Sequence, residues 1–142
     1  ILAAPAVLAD AKVTPELESE ARHYRAKALV AANQLQHAVA DWEALAKDTR
    51  NVYGAEAKYR LAQYLFDAGK TAEAEKEVLN YLEVSTPHAY WLARSFVLLS
   101  DIYAKLDRKL EARQYLLSLK QNYQADDDIA GMIESRLEKL ND

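Results

Sequence analysis

Three alanines, Ala38, Ala74 and Ala112, each follow a short polar turn: Asn33-Gln34, Gly69-Lys70 and Asp107-Arg108. They recur at intervals of 36 and 38 residues, and the stretches ahead of the turns, residues 24–29, 59–65 and 96–103, line up with them. A period of this size marks a helix–turn–helix unit that cannot bury its own apolar stripe. Such a unit must stack on a copy of itself.

Each copy reads as two amphipathic helices. The first pair is expected over residues 15–32 and 35–47, opened by Thr14-Pro15, a hydroxyl cap with Pro at the first helical position. The second is expected over 54–68 and 71–84, with Gly69 where a helix end favours a left-handed residue. The third is expected over 87–106 and 109–123, opened by Thr86-Pro87. A last helix is expected over 127–140, with Asp126-Asp127-Asp128 at its positive end. Its apolar stripe is Ile129, Ile133, Leu137 and Leu140, with Glu134, Arg136, Glu138 and Lys139 expected to face away.

Composition agrees. The 142 residues are 51% hydrophobic and 28% charged, a globular balance. Three Gly and three Pro are too few for the frequent turns of a β-sandwich. The absence of Cys excludes a disulfide framework, a thiolate zinc site and a cysteine nucleophile. A net charge of −4 makes nucleic acid a poor partner. No apolar run is long enough to span a membrane.

Residues 1–13 read as the tail of a preceding element and residues 14–142 as the repeat domain, which is expected to be a piece of a longer protein. Ile1, Leu2, Val7, Leu8 and Val13 are apolar with little to cover them. Self-association through this end is therefore expected.

The middle copy resembles the tetratricopeptide repeat (TPR). Leu61 and Ala62 stand at the family's Leu-Gly pair, Leu65 at its first Tyr, Gly69 at the turn, Ala74 at the small residue of the second helix, Val78 and Tyr81 after it. In the third copy the roles fall to Leu99, Ser100, Tyr103, Ala112, Leu116 and Leu119. In the first they fall to Arg25, Ala26, Leu29, Ala38, Trp42 and Leu45. Two positions depart from the pattern. Arg25 stands where the family has Leu, which suggests a helix rotated to turn Tyr24 and Ala28 inward. Tyr81 replaces a small residue, which suggests looser packing.

The resemblance implies an all-α, right-handed helical solenoid. It has three units, about 15–50, 54–86 and 87–124, and a C-terminal capping helix at about 127–140. The wording of the repeats, Gly54-Ala55-Glu56-Ala57-Lys58-Tyr59-Arg60-Leu61-Ala62 before Ala68-Gly69-Lys70, is also similar to TPR proteins of bacterial cell envelopes, of the Bacteroides type and the Tol-Pal accessory family. That second likeness implies a periplasmic or outer-membrane-associated location.

No catalytic pattern emerges. His23, His37 and His88 lie in three different elements without metal-ligand spacing, and read as surface residues. Asp126-x-Asp128 with Gly131 is similar to a calcium loop but has Ala130 and Leu137 where ligands are needed, so it reads as a helix cap. No cofactor or metal is expected, and the chain is not expected to be an enzyme.

TPR proteins bind ligands on a concave face lined by the first helix of each pair. Carried over, the resemblance implies Glu20, His23, Lys27, Val30 and Ala31; then Glu56, Tyr59, Gln63, Phe66 and Asp67; then Arg94, Val97, Asp101, Ala104 and Lys105. The candidate peptide-binding residues are Lys27, Tyr59, Gln63, Phe66, Asp67, Arg94, Asp101 and Lys105. Tyr59 either meets a ligand or packs on its neighbouring helix. The charge mix does not resemble a clamp for a C-terminal carboxylate. The expected function is a protein-interaction module, a scaffold or adaptor for a peptide segment or domain. The alternative is a spacer or oligomerisation segment with no ligand of its own.

Overall fold

The computed structural model describes residues 14–84 and 86–141. The segment 1–13, with its expected role in self-association, lies outside them. Among the described residues there are seven helices, packed in antiparallel pairs, and no strand. They are α1 (Pro15–Ala31), α2 (Leu35–Leu45), α3 (Val52–Asp67), α4 (Thr71–Glu83), α5 (Ala89–Lys105), α6 (Lys109–Asn122) and α7 (Ile129–Leu140). Every end falls within two residues of its expected place.

The turns repeat in atomic detail. After α1, Gln34 N–H donates to the Leu29 carbonyl at 2.8 Å and Asn33 N–H to that of Val30 at 3.0 Å. After α3, Lys70 donates to Leu65 at 2.9 Å and Gly69 to Phe66 at 3.0 Å. After α5, Arg108 donates to Tyr103 at 2.8 Å and Asp107 to Ala104 at 3.1 Å. This paired closure satisfies the last carbonyls of each helix and needs a left-handed residue. Asn33, Gly69 and Asp107 supply it, at φ of 59°, 81° and 60°. The next helix starts at once, so one three-residue turn reverses the chain.

Small residues permit the close approach of paired helices, and the structure buries them: Ala26, Ala62 and Ser100 on the first helices, Ala38, Ala74 and Ala112 on the second. Ser100 hides its hydroxyl by donating to the Val97 carbonyl at 2.6 Å, within its own helix. The large partners Trp42, Val78 and Leu116 are buried too.

The chain divides into two compact units. The first holds the described residues up to Leu61 with Val84–His88, and the second holds Ala62–Glu83 with the residues from Ala89 onward.

In the first unit α1 packs on α2. Tyr24 does not turn inward: it is 52% exposed. Arg25 stays on the inner side because Asp41, only 1% exposed, receives it there. An ion pair thus occupies the place where a leucine was expected. Asn51 caps α3, its Oδ1 accepting from Tyr53 N–H at 2.8 Å, so this helix begins at Val52, ahead of Gly54. Gly54 is buried against the chain leaving α2: a β-carbon there would lie 1.9 Å from the Asp48 carbonyl oxygen and 2.6 Å from that of Leu45.

The Thr86-Pro87 opener acts differently from the expected helix start. The Thr86 hydroxyl donates to the Thr49 carbonyl at 2.7 Å and accepts from His88 N–H at 3.2 Å, which holds the chain in a turn. Helix α5 then begins at Ala89. His88 Nε2 sits 2.9 Å from the Arg50 carbonyl oxygen.

In the second unit α5 packs on α4, α6 and α7, and α6 packs on α7. Tyr81 is fully buried among these helices rather than held loosely at their margin. Tyr103 stacks on Tyr115 at 5.5 Å between ring centroids, with the Arg108 guanidinium 4.4 Å from the Tyr103 centroid. Ile129 and Ile133 bury the stripe of α7. Arg136 does not face away: its Nε lies 3.0 Å from Asp101 Oδ1 and its Nη2 3.2 Å from Oδ2. The acidic run caps α7 through Asp127, whose Oδ1 accepts from Ile129 N–H at 2.9 Å. Asp128 instead accepts from the Tyr90 hydroxyl at 2.9 Å.

Four of the long-range polar contacts share a spacing. Thr86 with Thr49 is separated by 37 residues, His88 with Arg50 by 38, Tyr90 with Asp128 by 38 and Arg136 with Asp101 by 35. Contacts one period apart are what neighbouring copies of a repeat produce.

Candidate functional site

The eight residues singled out for peptide binding divide between the units: Lys27 and Tyr59 belong to the first, the other six to the second. Lys27 is exposed on α1 and Lys105 is exposed in the last turn of α5. Tyr59 is 4% exposed, so its ring is part of the interior and presents no face to a ligand. That decides between its two readings in favour of packing. Phe66 is half-buried.

Four of the polar candidates are engaged within the chain. Gln63 Nε2 donates to Asp67 Oδ1 at 2.8 Å, one helical turn on. Arg94 Nη1 donates to the Tyr90 hydroxyl at 3.0 Å and lies 4.0 Å from Asp128. Asp101 is held by Arg136. Arg94 and Asp101 therefore tie α7 to α5, and a ligand reaching for either competes with an existing ion pair.

The structure brings together a set that the sequence reading did not assemble. On the first unit, His23 and Tyr24 of α1 meet Tyr53 in the first turn of α3. Ring centroids are 4.5 Å apart for His23 and Tyr53, 5.0 Å for His23 and Tyr24, and 6.5 Å for Tyr24 and Tyr53. Burial holds the His23 imidazole below its ordinary pKa; Lys27 and Arg60 push the same way, while Glu56 and Glu20 oppose. Burial also pushes the Tyr53 phenol up, helped by Tyr24 and by the charge of Glu20. His23 was read as a lone surface residue. Its signal was the exposed ring beside it at Tyr24, but Tyr53 lies thirty positions away in sequence and only the fold joins them.

Among the described residues no three His, Asp or Glu side chains gather as a metal site, and no helix is long and apolar enough to cross a membrane. His23, His37 and His88 stand apart: His23 in the aromatic set, His88 on a backbone carbonyl, His37 exposed in the first turn of α2. Asp127 and Asp128 are used as cap and tyrosine acceptor rather than turned to a common point.

No protein-family model, curated protein or solved structure matches this chain.

Proposed function

We propose that this chain is a TPR-like, non-catalytic protein-interaction module that docks a peptide segment or a domain through the first helices of its hairpins. The supporting observation is the threefold recurrence of one helical hairpin: the same turn closure at Asn33, Gly69 and Asp107, followed by a fully buried alanine at Ala38, Ala74 and Ala112. Stacked hairpins of this kind offer extended surfaces that suit chain segments more than small molecules. On the first unit Lys27 is exposed on α1 beside the exposed ring of Tyr24, and on the second unit Lys105 is exposed on α5.

A photo-crosslinking amino acid placed at Lys27 or Lys105 tests the reading against the same group at Lys76 on α4 or Lys120 on α6. Adducts with one protein species, formed in the cells that make this chain and only from the first two positions, are the expected result. Adducts from Lys76 and Lys120 alone would place the binding surface on the other helices and overturn the assignment.

A further inference from the structure

We propose that the outward faces of α4 and α6, on the second unit, form a self-complementary surface through which two copies of this chain pair about a two-fold axis. The surface belongs to the second helices of the hairpins, so the inference goes beyond the docking reading, which concerns the first.

Among the described residues, the large exposed apolar side chains of the second unit are Leu79, Leu106, Leu110 and Leu117. All four lie on α4, on α6 or in the turn between α5 and α6. Leu79 and Leu117 each stand five places beyond the buried alanine of their hairpin, Ala74 and Ala112, so they point the same way. The first hairpin has Glu43 at that place. Leu110 is 69% exposed, more than any other large apolar side chain described. Ala72, Lys76, Leu79 and Glu83 line an exposed seam of α4, spaced four, three and four residues apart. Leu110, Gln114, Leu117 and Gln121 line an exposed seam of α6 with the same spacing. This is the spacing by which one helix receives another. A shallow groove of about 360 Å³ already follows the α4 seam, with Leu79 among its lining. Arg108 Nη1, one residue ahead of α6, lies 3.7 Å from Glu75 Oε2 near the start of α4. The two helices therefore begin side by side, and as both pack on α5 they run in the same direction.

The charges select a second copy as the occupant. Helix α4 carries four glutamates and one lysine, a net charge of −3, whereas α6 carries three cations and one glutamate, a net charge of +2. Glu83 at the end of α4 and Lys109 at the start of α6 have no ionic partner among the described residues. One face thus holds an acidic seam and a basic seam side by side. A two-fold axis normal to that face sets α4 of each copy antiparallel to α6 of the other. The register that seats Leu79 between Leu110 and Leu117 of the second copy brings Glu83 against the second copy's Lys109, and symmetry makes each contact twice. Pairing α4 with α4 would instead set a net charge of −3 against its like. Lys76 is the exception, since in this register it faces the basic helix.

The test is sedimentation equilibrium of the full chain over a range of concentrations. A reversible monomer–dimer equilibrium is expected, weakened at least about tenfold by Leu110→Asp and about two- to fivefold by Glu83→Lys. Adding Lys109→Glu to Glu83→Lys should restore part of the loss, and Lys76→Glu should tighten the pairing. All the substituted residues are exposed, so the variants keep the fold, and circular dichroism verifies it. A chain that stays monomeric at every concentration, a dimer that Leu110→Asp leaves intact, or a double variant no better than Glu83→Lys alone would each overturn the inference. A photo-crosslinker at Lys76 or Lys120 would join two copies of this chain, an adduct of twice the chain mass. That product is distinct from the adducts with another protein that test the docking reading, so either reading can fail without the other.

Discussion

Arg25 grips both oxygens of Asp41 with one edge of its guanidinium, Nε donating to Oδ2 at 2.8 Å and Nη2 to Oδ1. Arg22 adds a contact to Oδ1 at 3.5 Å. The Asp41 carboxylate is 1% exposed, so it has exchanged water for these two arginines. Removing one partner strands a buried charge, which costs about 3–5 kcal/mol, whereas replacing both with apolar groups is often close to neutral. Arg25→Leu should therefore lower the unfolding free energy by about 3 kcal/mol in urea titration. Arg25→Leu with Asp41→Leu should recover most of it. A single variant as stable as the native chain would show that the pair holds nothing.

Two glycines in helices should respond in opposite directions. At Gly54 an added methyl meets the Asp48 and Leu45 carbonyl oxygens, so the chain must shift, and Gly54→Ala should cost about 1–3 kcal/mol or more. At Gly131, inside α7, a β-carbon meets nothing within 4 Å. Gly131→Ala should stabilise by about 0.5–1 kcal/mol through helix propensity. Thermal melts of the two variants check both signs.

The three turns form a second set of paired variants. Asn33 and Asp107 hold φ values that glycine adopts without strain, so Asn33→Gly and Asp107→Gly should each raise stability by up to about 1 kcal/mol. Gly69→Ala puts a side chain at φ 81° and should cost about 1–2 kcal/mol, although its β-carbon has open space. If Gly69→Ala proved neutral while Asn33→Gly destabilised, the shared turn geometry would be wrong.

His23 gives the pH dependence its sign. Burial, the largest cause, holds its folded pKa below the ordinary 6.5. As pH falls through 6.5 the unfolded chain takes up this proton first, so folding stability declines. The decline ends once pH has passed below the folded pKa, and above 6.5 the group contributes no slope. An NMR titration of the His23 ring should have its midpoint under 6.5, and His23→Gln should remove this part of the acid-side decline. A midpoint above 6.5 would contradict the buried stacking on Tyr53.

The hairpins were legible because their signals are local. A turn residue, a cap and a 3.6-residue periodicity all act within one helix length, and the small residues at Ala38, Ala74 and Ala112 recur visibly. Arg25 was legible only as an anomaly. Its partner Asp41 lies sixteen residues on, and nothing in the spacing says that a charge at one place is answered at the other. Asp101 and Arg94 looked like groove residues because the sequence could not show that α7 brings Arg136 and Asp128 to them. The same limit hid the contact of Tyr53 with His23 and Tyr24. Tyr59 is the converse case: a position that resemblance assigns to a binding face, filled by a ring the fold uses for its own packing.

The measurement closest to the central claim is amide hydrogen exchange of the intact chain, with and without the partner segment recovered by crosslinking at Lys27 or Lys105. Added as a synthetic peptide, it should slow exchange along α1, α3 and α5 and leave α2, α4 and α6 unchanged. Protection confined to α2, α4 and α6, or no protection at saturating peptide, would contradict docking through the first helices of the hairpins.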